Sequence, residues 1–346
     1  MLSCGKLIAF ICFLLYNTNT TKMKRRCEMK KLYKNLLKTS LIASAAAGSA
    51  YGLCVLIDEV LFNRKMEPPK ELMQKISGCD TGHLGDFLQN NLKWLEDYGY
   101  ERHYIISDSG YRLTGYLFKA KEESNIYVFG AHGYRSYGKK EFCGVSQYYL
   151  KRGINVFIPD HVASGESEGT HCTFGYHETR DCLKWLSYMK ENFGEDIKII
   201  LHGVSMGCAT VTMMGSRKEL PENVKLIVAD CGFTTAKHLF EYKLKDLGIP
   251  PGNLIETVNK VHKGRHGFSF DDLSPLESVK NITLPVLFVH GAEDKLVPSY
   301  MVKELYEACI SEKKDILIVE GADHAQSYMI GKEAFEEKLT AMLMNI

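Results

Sequence analysis

The stretch IKIILHGVSMGCATVTMM, residues 197–214, decides the fold. Its first six residues are a short apolar, β-branched run of the kind that forms a strand buried on both faces. Its last seven, Cys208 to Met214, form an apolar segment without Gly or Pro that reads as a helix. Between them lies Gly203-Val204-Ser205-Met206-Gly207. A strand that passes directly into a helix through G-x-S-x-G lifts the serine onto a sharp turn. The following helix then presents its free N–H groups and positive end beside the hydroxyl.

Working outward, five more apolar runs have the same character: 126–131, 154–159, 225–230, 285–290 and 315–320. Amphipathic segments at 176–192, 205–216, 299–310 and 332–344 alternate with them. Buried strands alternating with helices predict a mostly parallel sheet covered on both sides. Two β-rich runs, 104–107 and 111–118, joined by Asp108-Ser109-Gly110, precede the alternation and read as a hairpin. A helix is expected over 70–98, where Leu84, Phe87, Leu88, Leu92 and Leu95 recur at three- and four-residue steps. The spacing breaks at 231–283, too long for a plain connection, which predicts a cap inserted at the sheet edge where sites form.

A second G-x-S-x-G, Gly165 to Gly169, lacks this setting. Ser167 stands between Glu166 and Glu168, seven residues after its strand, and reads as a turn residue. Ser205 is the candidate nucleophile, and a serine hydroxyl needs a base. Of twelve histidines, His202 and His290 end buried strands, and His83, His103, His238, His262 and His266 read as helical or loop surface. His324, in Gly321-Ala322-Asp323-His324 after the last strand, shares the carboxyl edge with Ser205 and is the candidate base. The acid that holds the imidazole is assigned to Asp294, after strand 285–290, with Glu293 and Asp230 as competitors. Two N–H donors are needed for the negative charge that develops during acyl transfer. The backbone of Met206 is one. The other is that of Tyr134 in Ala131-His132-Gly133-Tyr134.

AHGY (131–134), PDHVASGESEG (159–169), HGVSMG (202–207), SPLESV (274–279), LPVLFVHGAEDKLVP (284–298) and EGADH (320–324) together resemble the α/β-hydrolase superfamily over residues 100–346. The pattern is similar to bacterial membrane-tethered or cell-surface serine hydrolases near the serine aminopeptidase and acylglycerol-lipase-like branch. This resemblance implies an eight-stranded sheet with its first pair antiparallel, a small helical cap at about 234–272, and hydrolysis of an ester, thioester or amide without metal or organic cofactor. It departs from the pattern at Asp160-His161-Val162-Ala163, where relatives carry Arg and a second Gly-His; this bears on pocket shape more than on the triad.

The chain as a whole, 346 residues with a net charge of +1, offers no basic footprint for nucleic acid. The total hides a split: residues 1–40 carry +8, leaving −7 for the rest. Thr39 to Ile57 is free of charge for 19 residues, about the length of a bilayer span, although rich in Ala, Gly and Ser. An uncleaved anchor, a cleaved signal ending near Ala45–Ala50, and a buried or interfacial helix all fit. The anchor is the reading adopted, with the large domain outside the membrane under the positive-inside rule; secretion and a cytoplasmic location are the alternatives. The expected organisation is a leader and anchor over 1–62, a helical extension over 63–99 and the catalytic domain over 100–346. Eleven scattered cysteines with no C-x-x-C pair read as reduced thiols. The expected activity is cleavage of a carboxylic ester in a small acyl substrate through an acyl-enzyme. An aminopeptidase-like amide hydrolase and a non-catalytic, membrane-tethered binding protein are the alternatives.

Overall fold

The computed structural model describes residues 50–66, 82–344 and 346. The basic leader, residues 39–49 of the uncharged stretch and residues 70–81 of the expected helix lie outside the described residues. The strands are β1 (Glu101–Ile106), β2 (Arg112–Phe118), β3 (Ile126–Ala131), β4 (Asn155–Pro159), β5 (Lys198–Val204), β6 (Val224–Asp230), β7 (Val286–Gly291) and β8 (Lys314–Val319). They form one sheet in the order β1-β2-β4-β3-β5-β6-β7-β8. β2 runs antiparallel to both neighbours and every other adjacent pair is parallel.

Burial explains the sequence pattern. β4 and β7 are buried at every residue, while β1, at the sheet edge, alternates between exposed and half-buried positions. Successive residues of the inner strands feed opposite faces. Phe129, Phe157, Leu201, Ile227 and Phe288 enter one core; Val128, Val156, Ile200, Val228 and Leu287 enter the other.

The helices are α1 (Ala50–Phe62), α2 (Gly82–Tyr98), α3 (Gly138–Lys151), α4 (Tyr176–Phe193), α5 (Met206–Gly215), α6 (Ala236–Asp246), α7 (Gly252–His266), α8 (Pro275–Val279), α9 (Tyr300–Ala308), α10 (Ser327–Ile330) and α11 (Lys332–Leu343). The long gap between β6 and β7 thus holds α6, α7, a 3-10 turn at Phe270–Asp272 and α8. Among the described residues, 50–66 and 251–269 form one compact unit, and the rest form a second.

α1 changes the reading of the uncharged stretch. Its 13 residues span about 20 Å, short of a bilayer core of about 30 Å, and no helix among the described residues is long and apolar enough to cross a membrane. Cys54, Asp58 and Phe62, four residues apart on one face, are buried, so this part of the stretch is engaged in protein packing. His262, read from sequence as a surface residue, is fully buried, and His103 lies half-buried on strand β1. The seven described cysteines are buried and outside any disulfide.

Candidate active site

The elbow begins with crowding. A Cβ on Gly203 would stand 2.2 Å from the Gly207 carbonyl oxygen, and one on Gly207 would stand 1.8 Å from that of Ala131, so neither position admits a side chain. β5 therefore turns into α5 within one residue. Ser205 takes that turn at φ 57° and ψ −116°, a conformation costly for a residue with a Cβ. Its N–H is held by the Asp230 carbonyl at 2.9 Å.

From this turn Ser205 Oγ reaches His324 Nε2 at 2.8 Å. His324 Nδ1 lies 2.7 Å from Asp294 Oδ2. The other oxygen of Asp294 accepts from the backbone N–H groups of Leu296 at 2.9 Å and Val297 at 2.8 Å. Burial works to raise the Asp294 carboxyl, but the charge of His324 and hydrogen bonds from His290 and His324 outweigh it and hold Asp294 well below the usual carboxylate range. Burial likewise works to lower His324, but the charge and hydrogen bond of Asp294 prevail and raise it above an ordinary imidazole.

The four acids that could have faced His324 separate clearly. Glu293 is exposed. Asp230 is buried at the end of β6, pushed up to about 7 mainly by burial, and has no hydrogen bond to His324. Asp323 binds backbone instead: its Oδ1 accepts from Lys295 N–H at 3.1 Å and His324 N–H at 2.8 Å, tying the loop after β7 to the loop after β8.

The Ala131–Tyr134 loop lies against Ser205. A Cβ on Gly133 would come within 3.2 Å of Ser205 Cβ. His132 Nδ1 donates to the Gly133 carbonyl at 2.8 Å, and its Nε2 accepts from His161 N–H at 3.0 Å, so the imidazole braces the turn that carries Tyr134. Met206 is the first residue of α5, where backbone N–H groups have no intrahelical acceptor.

The second G-x-S-x-G is a structural knot. Ser167 Oγ donates to the Asp160 carbonyl at 2.7 Å and accepts from Thr114 N–H at 2.9 Å. The Asp160 carboxylate accepts from Gly138 N–H, Glu166 N–H and the Tyr116 hydroxyl. A Cβ on Gly165 would collide with it at 1.9 Å.

Residues 130–274 match the family model described as the alpha/beta hydrolase fold. The strand order, the elbow and this match agree. The chain has the α/β-hydrolase fold. Among its relatives is the uncharacterized protein YqkD of Bacillus subtilis, 27% identical over 70% of this chain and 78% of that protein. The monoglyceride lipase of Rattus norvegicus is 24% identical over 64% of this chain and 82% of its own length, in keeping with the acylglycerol-lipase-like branch. A solved structure of the Pyrococcus furiosus esterase Pf2001 superposes with a TM-score of 0.58 at 22% identity, covering 72% of this chain and 92% of that one, a likeness of fold.

Two features of this site escaped the sequence. His290, read only as the end of a buried strand, places Nε2 3.0 Å from Asp294 Oδ2 and 2.8 Å from the Val297 carbonyl, which braces the acid from behind. The spacing His290-x-x-x-Asp294 was the available signal. An aromatic series also lines up: Tyr134 to Phe174 at 4.7 Å between ring centroids, Phe174 to Phe240 at 5.3 Å, and Phe240 to Phe270 at 5.0 Å. Phe174 holds a positive φ of 52°. Its loop is pinned by Glu178, which accepts from the N–H groups of Thr173 at 2.7 Å and Gly175 at 3.0 Å. No motif marks Phe174, because its place depends on that loop.

Proposed function

We propose that this protein is a serine hydrolase that cleaves a carboxylic ester with an apolar acyl group. The observation that carries the reading is the unbroken relay of Ser205 Oγ to His324 Nε2 at 2.8 Å and His324 Nδ1 to Asp294 Oδ2 at 2.7 Å. In this reading His324 takes the Ser205 proton as Oγ attacks the acyl carbon. Asp294 holds the imidazole in the Nδ1–H tautomer and stabilises the imidazolium. Negative charge on the tetrahedral oxygen falls to the backbone N–H groups of Met206 and Tyr134. His324 then protonates the departing alkoxide. Water, activated by the same imidazole, attacks the acyl-enzyme and releases the acid and Ser205.

The aromatic series from Tyr134 to Phe270 supports an apolar acyl group. Lys243, the buried cation of α6, is already engaged by Asp246 at 2.8 Å and the Lys295 carbonyl at 3.0 Å. Membrane attachment is proposed for the basic leader and the residues before α1, with the catalytic domain outside the membrane.

The test is labelling by a fluorophosphonate probe, with turnover of p-nitrophenyl esters and aminoacyl anilides, in wild type and Ser205→Ala. Expected are labelling and ester turnover in the wild type and neither in the variant. Equal labelling of both proteins would remove Ser205 as nucleophile. Faster turnover of anilides than esters would favour the amide hydrolase, and labelling without turnover of either would favour the binding protein.

A further inference from the structure

α7 carries His262 and His266 one helical turn apart, so both imidazoles leave the same face. They meet Asp58 of α1. His262 Nδ1 lies 2.5 Å from Asp58 Oδ1, and His266 Nε2 lies 2.9 Å from Asp58 Oδ2. One ligand atom from each of the three residues lies within 4.8 Å of the others. Asp58 and His262 have no exposed side-chain surface, whereas His266 retains 20%. Phe62 stacks on His262 at 4.2 Å and Phe268 meets it edge-on at 4.6 Å, which gives the cluster an apolar wall.

We propose that Asp58, His262 and His266 bind one divalent transition-metal ion of the zinc type, which staples α1 to α7. The donor set comes first. Two imidazole nitrogens and one carboxylate oxygen suit zinc, cobalt or nickel, whereas magnesium and calcium take oxygen. Two histidines at i and i+4 on a helix are a recurrent way to grip such an ion.

Geometry follows. Tetrahedral zinc with bonds of about 2.0 to 2.1 Å sets its ligands about 3.3 Å apart. The observed separations, from 2.5 Å to no more than 4.8 Å, bracket that value, so small side-chain rotations admit the ion. Three protein ligands leave a fourth position for water, which the partly exposed His266 edge admits.

The surroundings fit as well. Ligating carboxylates are themselves held by further hydrogen bonds. Arg265 donates to Asp58 Oδ2 at 2.8 Å and also pairs with Glu59, which accepts from Asn63 Nδ2 at 2.8 Å. Asp58 and Glu59 are thus two carboxylates against the one guanidinium that pairs with them. No step of the proposed serine chemistry uses these residues, so the role assigned to the ion is structural. It would fix a helix from the N-terminal part of the chain to one that lies some 200 positions later.

The experiment uses the full-length chain, stripped with a chelator and then equilibrated with Zn2+ or Co2+. Expected are one Zn2+ per chain by metal analysis after dialysis, a higher thermal midpoint with Zn2+, and the visible absorption of tetrahedral Co2+. His266→Gln, at a partly exposed position, should weaken binding by about tenfold or more and abolish that absorption, with His262→Gln behaving alike if it folds. Ser205→Ala should bind as the wild type does. Failure of the stripped protein to retain a stoichiometric ion, or His266→Gln binding as tightly as wild type with the same spectrum, would overturn the proposal and leave a hydrogen-bonded charge cluster.

Discussion

At Ser205 the chain accepts a strained backbone, and the sharp turn holds the proposed nucleophile clear of both the strand before it and the helix after it. The same local sequence at Ser167 yields only an anchored turn, because its hydroxyl is occupied on both sides. Ser167→Ala should therefore keep the kcat of ester hydrolysis within about twofold while lowering stability by about 1 to 3 kcal/mol in denaturant titration. In the proposed mechanism His324 carries the pH dependence. A general base must be neutral, and Asp294 holds this imidazole above its ordinary 6.5. Activity should thus rise with pH through a midpoint above 6.5 and fall away on the acid side. Asp294→Asn removes the charge that raises His324. Its acid limb should move to lower pH, and kcat should fall by about 10^3- to 10^4-fold in a pH-rate profile with a p-nitrophenyl ester.

Among the elements, the loops and the segment between β6 and β7, rather than the sheet, supply the aromatic series on which the proposed acyl preference rests. Tyr134 comes from the loop after β3, Phe174 from the loop before α4, Phe240 from α6 and Phe270 from the turn after α7. Offset and edge-to-face rings of this kind add packing energy beyond their buried area. Truncating the third ring should be felt by the acyl chain more than by the chemistry. Phe240→Ala is expected to raise KM several-fold for medium-chain p-nitrophenyl esters, to leave acetate almost unchanged, and to alter kcat little. A uniform loss of kcat at every chain length would instead tie Phe240 to the position of the catalytic groups. The loops after β7 and β8 behave as one element, because Asp323 bonds to the backbone of both. That tie brings Asp294 and His324 together across thirty positions of sequence.

For the whole molecule, the near-neutral net charge is a sum of unlike parts, +8 in the first forty residues and −7 in the remainder. Each basic residue near an anionic surface contributes about 1 kcal/mol, and salt screens that attraction within about 10 Å at 0.1 M. The full chain should sediment with vesicles containing phosphatidylserine at low salt. Removing residues 1–40 should abolish a purely electrostatic association, and salt should release it. Retention in high salt would mean that apolar insertion contributes. On the described helix α1 the face of Cys54, Asp58 and Phe62 is buried within the protein and is not available for insertion.

Local sequence by itself determined the alternation of strands and helices, the elbow at Ser205 and the chain order of serine, acid and histidine. These features rest on burial periodicity and on glycines that a few neighbouring atoms demand. Which carboxylate meets His324 depended on tertiary structure. Asp294, Glu293, Asp230 and Asp323 all lie near the same sheet edge, and only side-chain direction after packing brings Asp294 to His324. The same holds for His290 behind the acid, for Phe174 on its pinned loop, and for His262. A sequence window around residue 262 shows a polar helix, and burial appears only once α1, from two hundred residues earlier, lies against it. Contacts between distant segments carry no local periodicity, so packing alone decided them.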